Sequence, residues 1–143
     1  MLGRVTIINE GILSSGVPIK ISLENNSMFG IQNNKNKLIG VCGLTYIDWK
    51  NKHAEISCYL NSVNWQKTKE ARDTIHTILK YGFEELNLHR IWAEIFSTAQ
   101  ENIALFNKIG FVGEGILRQK LWRDGKWWNS HIYSMLSSEF NKK

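Results

Sequence analysis

An α/β domain of three layers around one mixed sheet is the fold class this sequence predicts, and three features carry the prediction. Several short runs before position 61 alternate apolar with polar residues, the two-residue period of a strand. An amphipathic stretch over 71–86 then separates two such strands, as a crossover helix between parallel neighbours does. Asp124-Gly125 sits between Leu121-Trp122-Arg123 and Lys126-Trp127-Trp128 and supplies the positive φ angles a two-residue hairpin turn needs.

Taken in order, the elements begin with an N-terminal arm over 1–26, set apart by a compositional shift near Asn25-Asn26-Ser27. In the arm Val17, Ile19, Ile21 and Leu23 alternate with polar or small residues, and Val5 and Ile7 do so more weakly, which predicts extended structure. A short strand over 28–32 leads through the turn residues Asn33-Asn34-Lys35-Asn36 into a longer strand over 38–47, with Gly40 and Gly43 expected at bulges. A turn over 48–52 follows, and then a strand over 53–60 that places Ala54, Ile56, Cys58 and Leu60 on one face. Ile75, Ile78, Leu79, Phe83 and Leu86 recur at helical spacing, giving about four turns that bury one stripe and stop at Asn87. A strand over 89–96 comes next. Ser97 with Gln100, or Thr98 with Glu101, offers a capping box for a short helix that carries Ile103, Phe106 and Ile109 inward and ends at Gly110.

The 143 residues, with no repeat and only Pro18 as a proline, are read as one domain, 1–143, which buries roughly two thirds of its unfolded surface. Cys42 and Cys58 lie in apolar runs without partners at metal-ligand spacing, so small buried thiols, no metal site and a reducing cytoplasm are expected. No apolar run approaches the roughly 20 residues that span a bilayer, and Met1-Leu2-Gly3-Arg4 does not open a signal peptide, so no membrane role is expected. The excess of 18 Lys and Arg over 13 Asp and Glu, a formal +5, favours an anionic ligand: a nucleotide cofactor, nucleic acid or an acidic surface.

The loop Gln66-Lys67-Thr68-Lys69-Glu70-Ala71 is the first candidate for such a ligand, because helix N-terminal amides and the cations Lys67, Lys69 and Arg72 together suit an anion. A solvated basic helix start is the plainer alternative, although cations there oppose the helix dipole. Trp122, Trp127 and Trp128 beside Arg118, Lys120, Arg123 and Lys126 suit stacking on single-stranded nucleic acid. Cross-strand packing or a subunit contact is favoured over that.

Ala54-Glu55-Ile56, Tyr81-Gly82-Phe83-Glu84-Glu85-Leu86 with Leu88-His89-Arg90-Ile91, Lys108-Ile109-Gly110-Phe111, Glu114-Gly115-Ile116-Leu117-Arg118 and Tyr133-Ser134-Met135-Leu136 follow one another in a familiar order. In these motifs the chain resembles the GNAT superfamily of acyl-CoA N-acyltransferases, and within it the RimJ/RimL-like branch, over about 38–140. The resemblance implies a sheet splayed between the parallel strands over 53–60 and 90–96, with pantetheine in the gap. It implies acetyl-CoA as the acyl donor, held by the backbone around Cys58, Tyr59 and Leu60, by the pyrophosphate loop Gln66, Lys67, Thr68, Lys69, Glu70 and Ala71, and by Asn102 and Phe106 on the short helix. A backbone N–H near Tyr59 would polarise the thioester carbonyl. Glu55 would be the general base for a primary amine, on a protein N-terminus or a small molecule; His53 is the alternative base. A bland role for Glu55 is a charge partner for Lys52 or Lys37. His76, exposed by its helical spacing, and His131, on the last strand, have no partner that sequence identifies.

The chain departs from the family pattern at Lys69, where a glycine is usual, and at Ala99 and Phe106, where Asn and a proton-donating Tyr are common. With the short arm, these motivate an alternative: a catalytically inactive GNAT-fold binding or oligomeric module. A homodimer through the arm or the C-terminal hairpin is expected in either case.

Overall fold

The computed structural model describes residues 4–7, 10–12, 18–20, 25–33 and 35–140. Val17, Ile21, Leu23 and Asn34 lie outside them. In chain order the strands are β1 (Arg4–Ile7), β2 (Glu10–Ile12), β3 (Pro18–Lys20), β4 (Ser27–Gln32), β5 (Leu38–Asp48) and β6 (His53–Leu60). A 3₁₀ turn, Trp65–Lys67, then enters helix α1 (Lys69–Lys80), which passes into a π turn, Tyr81–Glu85. β7 (Arg90–Phe96), α2 (Gln100–Ile109), β8 (Val112–Arg123), β9 (Lys126–Leu136) and α3 (Ser137–Phe140) complete the order. Seven strands form one mixed sheet in the order β1-β4-β5-β6-β7-β9-β8, and β2 pairs with β3 separately.

The β6–β7 pair is parallel, as a crossover helix requires, and the other described pairs are antiparallel. One sheet face is apolar. Ile31, Cys42, Leu44, Ala54 and Ile91 are all fully buried there, beneath Ala71, Ile75, Ile78 and Leu79 of α1. α3 joins this layer through Phe140, whose ring packs on Phe83 at 5.4 Å and on His76 at 5.1 Å. The helices among the described residues occupy this one face, so two of the three expected layers are described.

Thr68 begins α1. Its extended backbone lets the side-chain oxygen accept the Ala71 N–H at 3.2 Å, while its hydroxyl donates to the Trp65 carbonyl at 2.6 Å and ties the helix to the 3₁₀ turn. Thr68→Ala should cost about 1 kcal/mol, read as a fall of a few degrees in the melting temperature.

Four expectations are corrected. The long helix does not run to Leu86 as one α-helix: after Lys80 it widens into the π turn, with Leu86 N–H donating to the Tyr81 carbonyl at 3.1 Å. Gly82, buried in that turn, lies so near the sheet that an added Cβ would stand 2.7 Å from Ile91 Cδ1 and 2.9 Å from Leu44 Cδ1. Neither capping box forms at α2. Ala99 is the N-cap without a side-chain bond, and Gln100 instead folds back so that Nε2 donates to the Ser97 carbonyl at 2.7 Å. Gly43 is not at a bulge either, since Met28↔Gly43↔Ser57 is in unbroken register; the slip comes between Ile31 and Gln32, beside Gly40. Glu55 makes no ion pair with Lys52 or Lys37, because its face of β6 looks across to β7 and β8.

Elsewhere local chemistry and structure agree. Asn87 is left-handed at φ 58°, Gly110 ends α2 at φ 112°, and Asp124 and Gly125 turn the hairpin at φ 54° and 75°. Trp122 and Trp127 are cross-strand partners with ring centroids 5.0 Å apart. Cys42 and Cys58 face each other across β5 and β6 as free thiols, and burial together with Cys58 pushes the Cys42 thiol up. No helix among the described residues is long and apolar enough to cross a membrane.

Candidate active site

The sheet opens at one place. β6 and β7 pair only at His53↔Arg90, Ala54↔Ile91 and Glu55↔Trp92, and beyond these three the strands part. From Ile56 to Leu60, one edge of β6 therefore has no strand partner among the described residues, although the other edge remains paired with β5. A cavity of about 150 Å³ occupies the fork, bordered by Glu55 and Cys58 of β6, Glu94 and Ile95 of β7, and Asn102 and Phe106 of α2. The Asn102 side-chain oxygen is buried with no hydrogen-bond partner, which leaves an acceptor ready for an N–H from a ligand. Phe106, edge-on to Phe111 at 4.8 Å, is a fixed aromatic wall.

A second cavity, of about 360 Å³, lies between the entrance to α1 and the outer side of α2. Gln66, Lys67 and Arg72 line it from one side and Gln100, Glu101 and Lys108 from the other, so three cations converge on one hollow. It adjoins the fork: Trp65 borders the first cavity and Gln66 the second, and neighbouring residues of α2 border both.

The residues expected to hold a cofactor are thus distributed unevenly. Cys58, Asn102 and Phe106 meet Glu55 in the fork, and Gln66 and Lys67 meet in the basic hollow. Leu60, Thr68 and Glu70 border a separate cavity of about 230 Å³. Ala71 is fully buried in the core and its N–H is taken by Thr68. Tyr59 is 60% exposed and borders none of the three cavities, although it belongs to the stretch of β6 beyond the last pair with β7. Lys69 is exposed and also lines none of them, so its side chain does not plug the entrance.

Electrostatics at the fork single out Glu55. Burial raises its carboxyl above the ordinary range, the nearby Glu94 raises it further, and Lys120 partly opposes both. Glu94 behaves oppositely: burial works against its ionised form, but the hydrogen bond and charge of Lys120, with Nζ 2.5 Å from Oε1, hold it low. His53 is engaged with Asp48 at 3.5 Å, and His131 stacks on Tyr133 at 6.4 Å. The sequence alone gives Glu94 no role, and it gives Lys120 and Lys108 no place at this site: Lys120 stands out there only in the basic hairpin and Lys108 only in the Lys108-Ile109-Gly110-Phe111 motif. The two-residue period of β7 puts Glu94 on the face of Trp92, and the register Glu55↔Trp92 makes that the face of Glu55.

The site thus combines a mixed sheet that splits at its parallel pair, a carboxylate at the fork and a basic hollow at the mouth. The chain belongs to the acetyltransferase (GNAT) domain family, whose model matches residues 18–132. It is similar to the uncharacterized N-acetyltransferase p20 of Bacillus licheniformis, 33% identical over 105 residues that make up 73% of this chain and 58% of that protein. It is 32% identical over 109 residues to the uncharacterized N-acetyltransferase YoaA of Bacillus subtilis, covering 76% and 61% of the two chains. The chain therefore spans about six tenths of the length of these relatives. Among solved structures it resembles the spermidine/spermine N-acetyltransferase SpeG of Vibrio cholerae in complex with manganese ions, with a TM-score of 0.76 at 25% identity, covering 84% of this chain and 70% of that one.

Proposed function

We propose that the protein is an acetyl-CoA-dependent N-acetyltransferase that moves an acetyl group directly to a primary amine of a small molecule or a protein N-terminus. The observation that carries the proposal is the fork itself: three paired residues, then an unpaired β6 edge leading from Glu55 toward a hollow with three cations. An extended ligand that alternates amide N–H and C=O groups suits the unpaired edge, with the orphaned Asn102 oxygen taking one further N–H. Phosphates suit Lys67, Arg72 and Lys108 in the hollow. Acetyl-CoA offers both chemistries and, when bound, supplies the acetyl group as an activated thioester.

This chain's own residues do the rest. Phe106 and Ile95 exclude water from the fork, and Glu55 accepts the proton that an acceptor ammonium must lose before its nitrogen becomes nucleophilic. The raised proton affinity of Glu55 suits that task, because a base must hold the proton it takes. One relative, 27% identical over 112 residues and covering 78% of this chain and 64% of its own length, is the spermidine N(1)-acetyltransferase of Vibrio cholerae. Polyamines are accordingly the first acceptors to assay. The motifs around Tyr81–Leu86 and Lys108–Phe111 support a place in the RimJ/RimL-like branch, and the exposed Trp122 and Trp127 support self-association through the hairpin, to be read by light scattering.

Calorimetry with acetyl-CoA tests the proposal; absence of both heat and thermal shift at millimolar ligand removes it and leaves the inactive-module alternative. Arg72→Ala and Lys108→Ala should each weaken acetyl-CoA binding about tenfold, with a loss that shrinks at high salt, whereas Lys126→Ala in the hairpin leaves affinity unchanged.

A further inference from the structure

Two carboxylates border the fork, and among the described residues only one of them, Glu94, has an ion-pair partner. Glu55 on β6 and Glu94 on β7 border the same cavity, where adjacent carboxylates resist joint ionisation. A cation reaches them from a third strand. β8 loses register with β9 between Leu117↔Ser130 and Leu121↔Trp128, so Arg118, Gln119 and Lys120 together oppose Asn129. Gln119 adopts a left-handed φ of 53°, and its N–H donates to Asn129 Oδ1 at 2.9 Å, which fixes the bulge. A bulge bends its strand and redirects side chains. This one delivers Lys120 to Glu94, with Nζ 2.5 Å from Oε1, and leaves Glu55 without an ion-pair partner among the described residues.

No other charge competes for Glu55 among the described residues. On its own strand His53 pairs with Asp48 of β5, and the remaining β5 neighbour is Thr45, whose hydroxyl donates to the Glu55 carbonyl at 3.4 Å. On β7, Arg90 is taken by Glu114 of β8.

We propose that Lys120 is a positioning residue for acetyl transfer: by pinning Glu94 it makes Glu55 the single available proton acceptor at the fork. The proposal rests on the transferase function above and names a residue outside the family motifs that suggested it. The plainer role, a tie between β8 and β7, predicts no effect on Glu55.

The test follows the Glu55 carboxyl by carbon NMR titration in the cofactor-free protein, alongside the pH dependence of acetyl transfer. Lys120→Met should move both the Glu55 titration and the acidic limb of the rate profile to higher pH, because an attraction that favours the carboxylate is gone. Transfer near pH 6 should then fall severalfold more than transfer near pH 9. Lys120→Arg should restore both, and adding Glu94→Gln to Lys120→Met should move both back down. A Glu55 titration unchanged in Lys120→Met, or shifted equally by Lys126→Met, overturns the proposal. Failure of the wild type to bind acetyl-CoA would instead remove the transferase function, while the titration still reports whether Lys120 governs Glu55.

Discussion

Gly43→Ala should destabilise the protein by about 3 kcal/mol, lowering the melting temperature by roughly 10 °C. Gly43 sits in the middle of β5 between Met28 of β4 and Ser57 of β6. A Cβ there would stand 2.2 Å from the Ser27 carbonyl oxygen and 2.6 Å from Met28 Cα. Both are backbone atoms of a paired strand, so the clash is relieved only by moving β4 away from the sheet and loosening the contact of Phe29 and Ile31 with the core. Gly82→Ala should be milder, because the atoms its Cβ meets are terminal methyls of Ile91 and Leu44 that can turn aside. Gly115→Ala, with nothing within 4 Å, is the neutral control. Thermal melts of the three variants give the order directly, and a Gly43 variant as stable as the Gly115 variant would show that β4 and β5 do not approach so closely.

Glu55→Gln should reduce turnover by about a hundredfold or more, the range that a positioned general base contributes, while leaving acetyl-CoA affinity nearly intact. Unfolding is not the cause, and the sign of the linkage shows why. The Glu55 carboxyl binds its proton more tightly in the fold than in the unfolded chain, so ionising it opposes folding once the pH rises through and beyond the unfolded value. Near pH 8 glutamine removes that opposition, and the variant should melt no lower than the wild type. The acidic limb of the rate profile, set by Glu55 deprotonation, should flatten at the same time. Steady-state rates across pH, paired with melting curves, separate this outcome from simple structural damage: a variant that loses both stability and activity would assign Glu55 to packing.

Much of this architecture is legible from local chemistry. The α1 stripe of Ile75, Ile78 and Leu79, the Asp124-Gly125 turn and the alternating face of β6 each depend on residues within a few positions of one another, where helical or strand periodicity acts directly. The site is legible only in part. Glu55 and the basic loop stand in recognisable motifs, but which loop residues border a cavity is settled by how α1 enters the core: Thr68 caps the helix and Ala71 is buried, so Gln66 and Lys67 meet the hollow instead. The π turn escapes a pattern reading because apolar residues at helical spacing, Phe83 and Leu86, continue through it, while the atoms that Gly82 lies against, on Leu44 and Ile91, belong to distant strands. Lys120 escapes for the same reason, since Glu94 is 26 residues away and meets it through a bulge at Gln119, which carries no glycine to announce it.

By itself, then, the amino-acid order determined the sequence of elements, their apolar faces and the family motifs, because propensity and periodicity operate over one or two turns of chain. Tertiary structure alone decided where β6 and β7 cease to pair, which cations share a hollow, and which of two carboxylates is left unpaired. Those outcomes depend on strand register and on charges brought together from distant segments, and neither is encoded at any single position.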